Sequence, residues 1–255
     1  VRGVNHYLEA ADYVSGYAGK WHVDEKHGPT HFGFEGKDFI GYSWPASGLL
    51  PNHTFSSPPK NKPNYYEEYL DENGFGSPPV EKRFVGNNPY CNKQEMFALH
   101  SGPVESCIEY FVAEETIRLL KQFADADRPF FLWSNFWGPH TPCLVPEPYF
   151  SMYDPDSIPE HPSYRETFEG KPYVQRHIEK MWGLSEYGWQ GFQEIAARYY
   201  GHCTLIDDMV GRILAVLEEV GLLDETIVVF TSDHGDCMGA GAVREVHVPV
   251  HAVDG

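Results

Sequence analysis

Three short stretches of this sequence hold residue types that could do chemistry together. In Thr231-Ser232-Asp233-His234-Gly235-Asp236 an acid and an imidazole stand side by side, directly after the apolar run Ile227-Val228-Val229-Phe230. Such a run reads as a buried strand of an α/β sheet, and in open α/β sheets sites form outside the carboxyl ends of strands. Where the chain leaves regular pairing, Asp233 and His234 could both face one cation, and Gly235 permits the sharp turn that this needs. The same residues also fit a strand that ends in an Asx-type turn. In Gly19-Lys20-Trp21-His22, Lys20 and His22 are two positions apart. On a strand they share one face, so both could point at one anion while Trp21 anchors the other face. An edge strand with a polar solvent face has the same alternation. In Pro139-His140-Thr141-Pro142 the two prolines stiffen the backbone on either side of His140. That suits a side chain that must be held in place, and it equally suits a proline-rich turn.

The elements that must position these residues follow from periodicity. Residues 4–12 read as a short helix and residues 14–23 as a strand. Residues 104–124 form a helix whose apolar stripe is Ile108, Val112, Leu119 and Phe123. Phe130-Phe131-Leu132-Trp133 reads as a second buried strand, leading to His140. Residues 193–220 give the longest helix, with Ile206, Val210, Ile213, Leu214, Leu217 and Val220 on its core face and Gly221 as C-cap. Asp207 and Asp208 lie within it; adjacent helical residues diverge, so a solvated role suits them better than one shared ion. The strand–helix–strand order predicts an α/β fold, with a largely parallel central sheet flanked by helices. Residues 24–103 and 143–190 show little periodicity but many aromatics. They read as long functional loop insertions within one domain spanning 1–255. Asn52-His53-Thr54 matches a glycosylation sequon, which is a weak signal.

Composition bounds the function. The 255 residues are 42% hydrophobic and 15% aromatic, enough for a sizeable core. A net charge of -18 with no basic run argues against nucleic-acid binding. It also means that an anionic ligand needs a local cluster of cations. The five cysteines form no C-x-x-C pair, which argues against a disulfide framework or structural zinc and leaves one or two disulfides open. No stretch is long and apolar enough to span a membrane.

Taken in order, Gly19-Lys20-Trp21-His22, Pro139-His140-Thr141-Pro142, the helical Ile206-Asp207-Asp208-Met209-Val210-Gly211 and Thr231-Ser232-Asp233-His234-Gly235 resemble the sulfatases of the alkaline phosphatase superfamily. The resemblance covers roughly residues 1–239. It implies an alkaline phosphatase-like sandwich and hydrolysis of small-molecule or saccharide sulfate esters. It implies that Lys20 and His22 contact sulfate and nucleophile, that His140 assists the leaving group, and that Asp233 and His234 bind a divalent cation. Calcium is the expected metal, with Mg²⁺ or Mn²⁺ as alternatives. The nucleophile in such proteins is a formylglycine, made from Cys or Ser in C/S-x-P/A-x-R by a formylglycine-generating enzyme, which becomes an implied partner.

The sequence departs from that pattern at both ends. Only nineteen residues precede Lys20, and they hold neither the formylglycine motif nor the acidic pair that completes the metal site. Ser43-Trp44-Pro45-Ala46-Ser47 and Ser56-Ser57-Pro58-Pro59-Lys60 lack the arginine and follow Lys20. After Gly239 the expected glycine-rich loop and lysine are missing, although residues 246–250 resemble the strand that should come next. The expectation is an incomplete catalytic core, with an internal deletion or gene-model error near Ala240. The two other functions that the resemblance implies are phosphonate or phosphate ester hydrolysis, and an inactive fragment or pseudoenzyme. Family members are often secreted, periplasmic or lysosomal; the sequence itself assigns no compartment.

Overall fold

The computed structural model describes residues 3–21, 23, 27–37, 65–85, 95–126, 128–182, 187–236, 238 and 248–249. In chain order the main elements are α1 (Val4–Ala10), β1 (Val14–Gly19), β2 (Glu35–Gly36), α2 (Tyr65–Glu72), β3 (Val80–Val85), β4 (Glu95–His100), α3 (Ile108–Ala124), β5 (Phe130–Asn135), β6 (Cys143–Pro146), α4 (Tyr173–Trp182), α5 (Gly188–Glu219), β7 (His234–Gly235) and β8 (Val248–Pro249). The fold is mixed α/β with a parallel sheet and flanking helices, as expected.

The first sheet has the order β2-β1-β5 and is parallel throughout. Gly16 lies opposite Leu132 in the β1–β5 register. A Cβ there would come within 2.7 Å of the Phe123 ring, so the glycine lets α3 pack down on the strand. The expected stripe Ile108, Val112, Leu119 and Phe123 is buried, and Phe111 and Leu120 widen it. Burying each such side chain contributes about 1.5–3 kcal/mol. The second sheet joins β3 antiparallel to β4 and β4 parallel to β6. It shares a core with α5, in which Ile206 and Leu217 are buried and Val210, Ile213 and Leu214 half-buried. Asp207 and Asp208 are exposed, and Asp208 accepts a hydrogen bond from the Tyr149 hydroxyl.

Several expectations need correction. The strand that precedes Lys20 stops at Gly19, before Val23, so strand alternation does not govern Lys20. Gly19 has a φ of 101°, and a Cβ would fall 1.9 Å from the Asn135 carbonyl oxygen. The strand breaks where the two backbones close on each other. The stretches read as loops contain α2, β3, β4, β6 and α4. In β4, Met96 to His100 are all buried, so no two-residue alternation marks it, and β6 is buried at all four positions.

The largest difference concerns residues 227–230. They are not part of any strand, and Ile227, Val228, Val229 and Phe230 are 92%, 53%, 76% and 82% exposed. An apolar run records a capacity for burial. It becomes a sheet strand only where a neighbour supplies backbone hydrogen bonds and a helix covers its face. Among the described residues nothing pairs with this run. The chain pairs again only at β7, antiparallel to β8, within the expected 246–250 strand. Phe130 to Asn135 is a strand but half-buried, with Trp133 43% exposed. Among the described residues, Cys107, Cys143 and Cys203 are in no disulfide; Cys91 and Cys237 lie outside the described residues. No described helix is long and apolar enough to cross a membrane.

A buried polar layer underlies the second sheet. His100 is 2% exposed, with Nε2 2.8 Å from Ser106 Oγ. Burial pulls its pKa down to about 4, against an opposing pull from Glu109. The unfolded chain therefore protonates first, near 6.5. The stability held by neutral His100 is full above about 6.5 and is lost as pH falls towards 4, by up to about 3 kcal/mol. A His100→Gln variant is expected to lose less stability than the parent between pH 7 and pH 4. Urea midpoints at several pH values check this; parallel losses in the two proteins would refute it.

Candidate active site

Lys20 leaves the end of β1, where that strand is stitched to the end of β5. The Lys20 backbone N–H donates to the Asn135 carbonyl at 2.9 Å. The buried Tyr17 hydroxyl donates to the Lys20 carbonyl and accepts from the Asn135 amide. Burial pushes the Tyr17 pKa up to about 12, Asn135 opposes this, and the charge of Asp233 adds to it. Tyr17 is therefore a neutral clamp at working pH. It fixes the backbone from which the Lys20 side chain reaches outward.

That side chain meets the Asp233 carboxylate, Nζ to Oδ2 at 3.8 Å. His234 Nε2 lies 3.7 Å from the same oxygen. Asp233 Oδ1 accepts from the His234 backbone N–H at 3.0 Å, and the Ser232 hydroxyl donates to the His234 carbonyl. These local bonds give the segment the turn character that its sequence also allowed. The His234 ring stands edge-on to His140, centroids 5.7 Å apart at 75°. His140 Nδ1 lies 2.6 Å from the Thr141 carbonyl, an acceptor, so Nδ1 is the nitrogen that carries the proton in this contact. Behind His140 the loop packs tightly: a Cβ on Gly138 would lie 2.3 Å from His202 Nε2. Of the sequence candidates, Lys20, His140, Asp233 and His234 are brought together; His22 lies outside the described residues.

Asp236 joins them as a half-buried carboxyl. Burial raises its pKa, His234 and Lys20 pull it down, and Asp233 pushes it up. Tyr17, Asn135 and Asp236 were not singled out by the motifs. Asn135 had one legible signal, a polar amide closing the apolar strand Phe130-Phe131-Leu132-Trp133.

The described donors do not fit a complete divalent-cation site. Among the described residues no group of three or more His, Cys, Asp or Glu side chains is placed to hold a metal. Asp233 and His234 offer two donors, and the carboxylate already faces an ammonium. Calcium takes six to eight oxygens. Calorimetric titration of this chain with calcium is expected to show only weak binding; tight stoichiometric uptake would overturn that.

Residues 2–248 match the model of the Sulfatase family. The chain belongs to the sulfatase family. Among its relatives, it is 29% identical over 238 residues to the ulvan-active sulfatase of Formosa agariphila, covering 93% of this chain and 36% of that protein. It is 37% identical over 131 residues to the arylsulfatase of Clostridium perfringens, covering 51% of this chain and 26% of that one. This sulfatase-family chain thus spans about a third or less of the length of these relatives. Among solved structures, the phosphonate monoester hydrolase of Agrobacterium radiobacter superposes with a TM-score of 0.56 at 23% identity, over 76% of this chain and 43% of that one. That likeness places the sulfatase-family chain in the alkaline phosphatase-like fold.

Proposed function

We propose that this chain serves the hydrolysis of sulfate esters on saccharides. The observation that carries the reading is the meeting of Lys20, His140, Asp233 and His234, drawn from three motifs more than two hundred positions apart. The saccharide class is supported by the ulvan-active relative.

Each role follows from what its group can do. Lys20 supplies the positive charge that a sulfuryl group gathers as its S–O bond breaks. In the resting arrangement Asp233 partly neutralises that charge, and an arriving sulfate competes for the ammonium. His140, held at Nδ1 by Thr141, can deliver a proton from Nε2 to the departing alcohol oxygen. His22, two residues from Lys20, is assigned to the same sulfate. Asp233 and His234 are proposed as two donors to a divalent cation, calcium being the expected ion, and such an ion needs further oxygen donors beyond this pair. The attacking group is proposed to be a formylglycine hydrate, for which no residue of the 255 carries the motif.

Binding tests the reading without turnover. Inorganic sulfate and a sulfated monosaccharide are expected to shift the imidazole resonances of His140 and His234 in an NMR titration, at millimolar concentrations. Lys20→Ala is expected to weaken the effect about tenfold, the scale of one charge-assisted contact. Resonances that ignore sulfate but respond to a phosphonate monoester would favour the related hydrolase activity. Resonances that ignore both would overturn the assignment.

A further inference from the structure

A cavity of about 530 Å³ opens in the second sheet, and none of its lining residues belongs to the candidate active site. Its floor is aromatic. Phe84 of β3 stacks on Phe97 of β4, centroids 5.0 Å apart, and Phe150 stands across Phe97 at 6.1 Å. Its rim is charged. Lys82 Nζ sits 5.5 Å from the centre of the Phe150 ring, and the Arg198 guanidinium lies 4.5 Å from the same ring. Glu194, one helical turn before Arg198, holds it at 2.9 Å.

Two features set this cavity apart from ordinary packing. Lys82 has a φ of 44°, a left-handed conformation that costs a side-chain-bearing residue energy. It occurs where the β3–β4 register shifts between Glu81 and Phe84. Such bulges re-aim a side chain, and here the side chain lies over the aromatic floor. The second feature is Arg198. It is nine-tenths buried, yet its Nε–H has no acceptor among the described residues. A buried donor left so is destabilising, and it asks for an acceptor from outside. Two cations against one carboxylate leave the rim positive, in a chain whose net charge is -18.

We propose that this cavity binds one anionic sugar ring of a saccharide. The choice of a sugar rests on the proposed function; the cavity geometry supplies the rest. Phe84, half-buried and backed by the stacked Phe97 ring, offers its outer side to the C–H face of a pyranose. Lys82 and, after a small turn, Arg198 Nε suit a single carboxylate or sulfate. The volume lies within the usual range for ligand sites. A polyphosphate would bring more negative charge than one net positive charge can meet. The cavity is also tied to the candidate active site by chain: Phe97 pairs with Cys143, three residues after His140.

The test is an NMR titration of a Lys20→Ala/His140→Ala chain, which disables the first site. The probes are glucose 6-sulfate, glucuronate, glucose and inorganic sulfate. The two anionic sugars are expected to shift the Phe84, Phe97 and Phe150 resonances at least about tenfold more tightly than glucose or sulfate do. Lys82→Asn, which tolerates the left-handed backbone, is expected to remove most of that preference, and Lys82→Arg to keep it. Equal binding of free sulfate would show that the aromatic floor contributes nothing, and equal binding of glucose that the cations contribute nothing; either sinks the proposal. Loss of all shifts in this double variant, with His140 and His234 still responding in the parent, would overturn the cavity while leaving the proposed function standing.

Discussion

Incubated with a nitrophenyl sulfate and calcium or manganese, the 255-residue chain is expected to release nitrophenol about a millionfold more slowly than a competent sulfatase. The ground is the chemistry that its residues can and cannot supply. Lys20, His140, Asp233 and His234 meet in space, so the proposed charge stabilisation and proton delivery have groups to perform them. None of them attacks sulfur as an aldehyde hydrate does. No Cys or Ser among the 255 is followed by Pro or Ala two residues on and Arg four on. Removing the nucleophile from an enzyme that works through a covalent intermediate costs on the order of a millionfold in kcat. A cation held by only the two proposed donors would act in the same direction, because misplacing a reacting group by about 1 Å can cost about a hundredfold. The assay is run on purified chain beside a formylglycine-bearing sulfatase as reference. Robust turnover by the chain, abolished in His140→Ala, would show that its nucleophile is a residue not recognised above.

The site was more legible than the sheet that carries it. Lys20, His140, Asp233 and His234 stood out as ligand-type residues beside Gly or Pro, but each motif alone also fitted a turn or an edge strand, and only their ordered resemblance to the sulfatases joined them. What could not be read was how Lys20 is held. The clamp of Tyr17 and Asn135 joins residues 118 positions apart, and it depends on β1 and β5 being neighbours. Periodicity succeeded where one face is solvated, as in α3. It failed for β4, buried along its whole length, and for β6, four residues long. At Ile227-Val228-Val229-Phe230 it failed in the other direction. The composition of a core strand is there, and the described structure leaves it open to solvent. Burial is a property of a pair of surfaces, and a single run of residues carries information about only one of them.

A second large effect is expected at Glu109, which lies beneath the His140 loop. Glu109 on α3 and His202 on α5 approach to 2.8 Å, and each side chain is 1% exposed. Neither Glu109 oxygen nor either His202 nitrogen is aligned for a regular hydrogen bond among the described residues. A pair so placed holds little stability of its own, because its attraction mainly offsets the loss of water from both groups. Removing one member is another matter. Glu109→Ala strands His202 in a dry interior and opens a gap, and breaking a buried pair in this way costs about 3–5 kcal/mol. For a domain of this size that corresponds to a fall in Tm of roughly 10 °C. Replacing both groups by apolar side chains of similar volume, Glu109→Met with His202→Leu, is expected to recover most of the loss. Thermal unfolding followed by circular dichroism on the parent, the single and the double variant decides the matter. A Glu109→Ala variant within about 1 kcal/mol of the parent would mean that water reaches the pair. A double variant no better than the single one would mean that α3 and α5 rely on the polar pair itself. The same pair limits the loop above it, since a Cβ at Gly138 would lie 2.3 Å from His202 Nε2 and 3.0 Å from Glu109 Oε1. Loss of Glu109 therefore frees the floor on which the Gly138–His140 turn rests. In the folded fraction of Glu109→Ala, the His140 imidazole resonances are expected to broaden or shift relative to the parent.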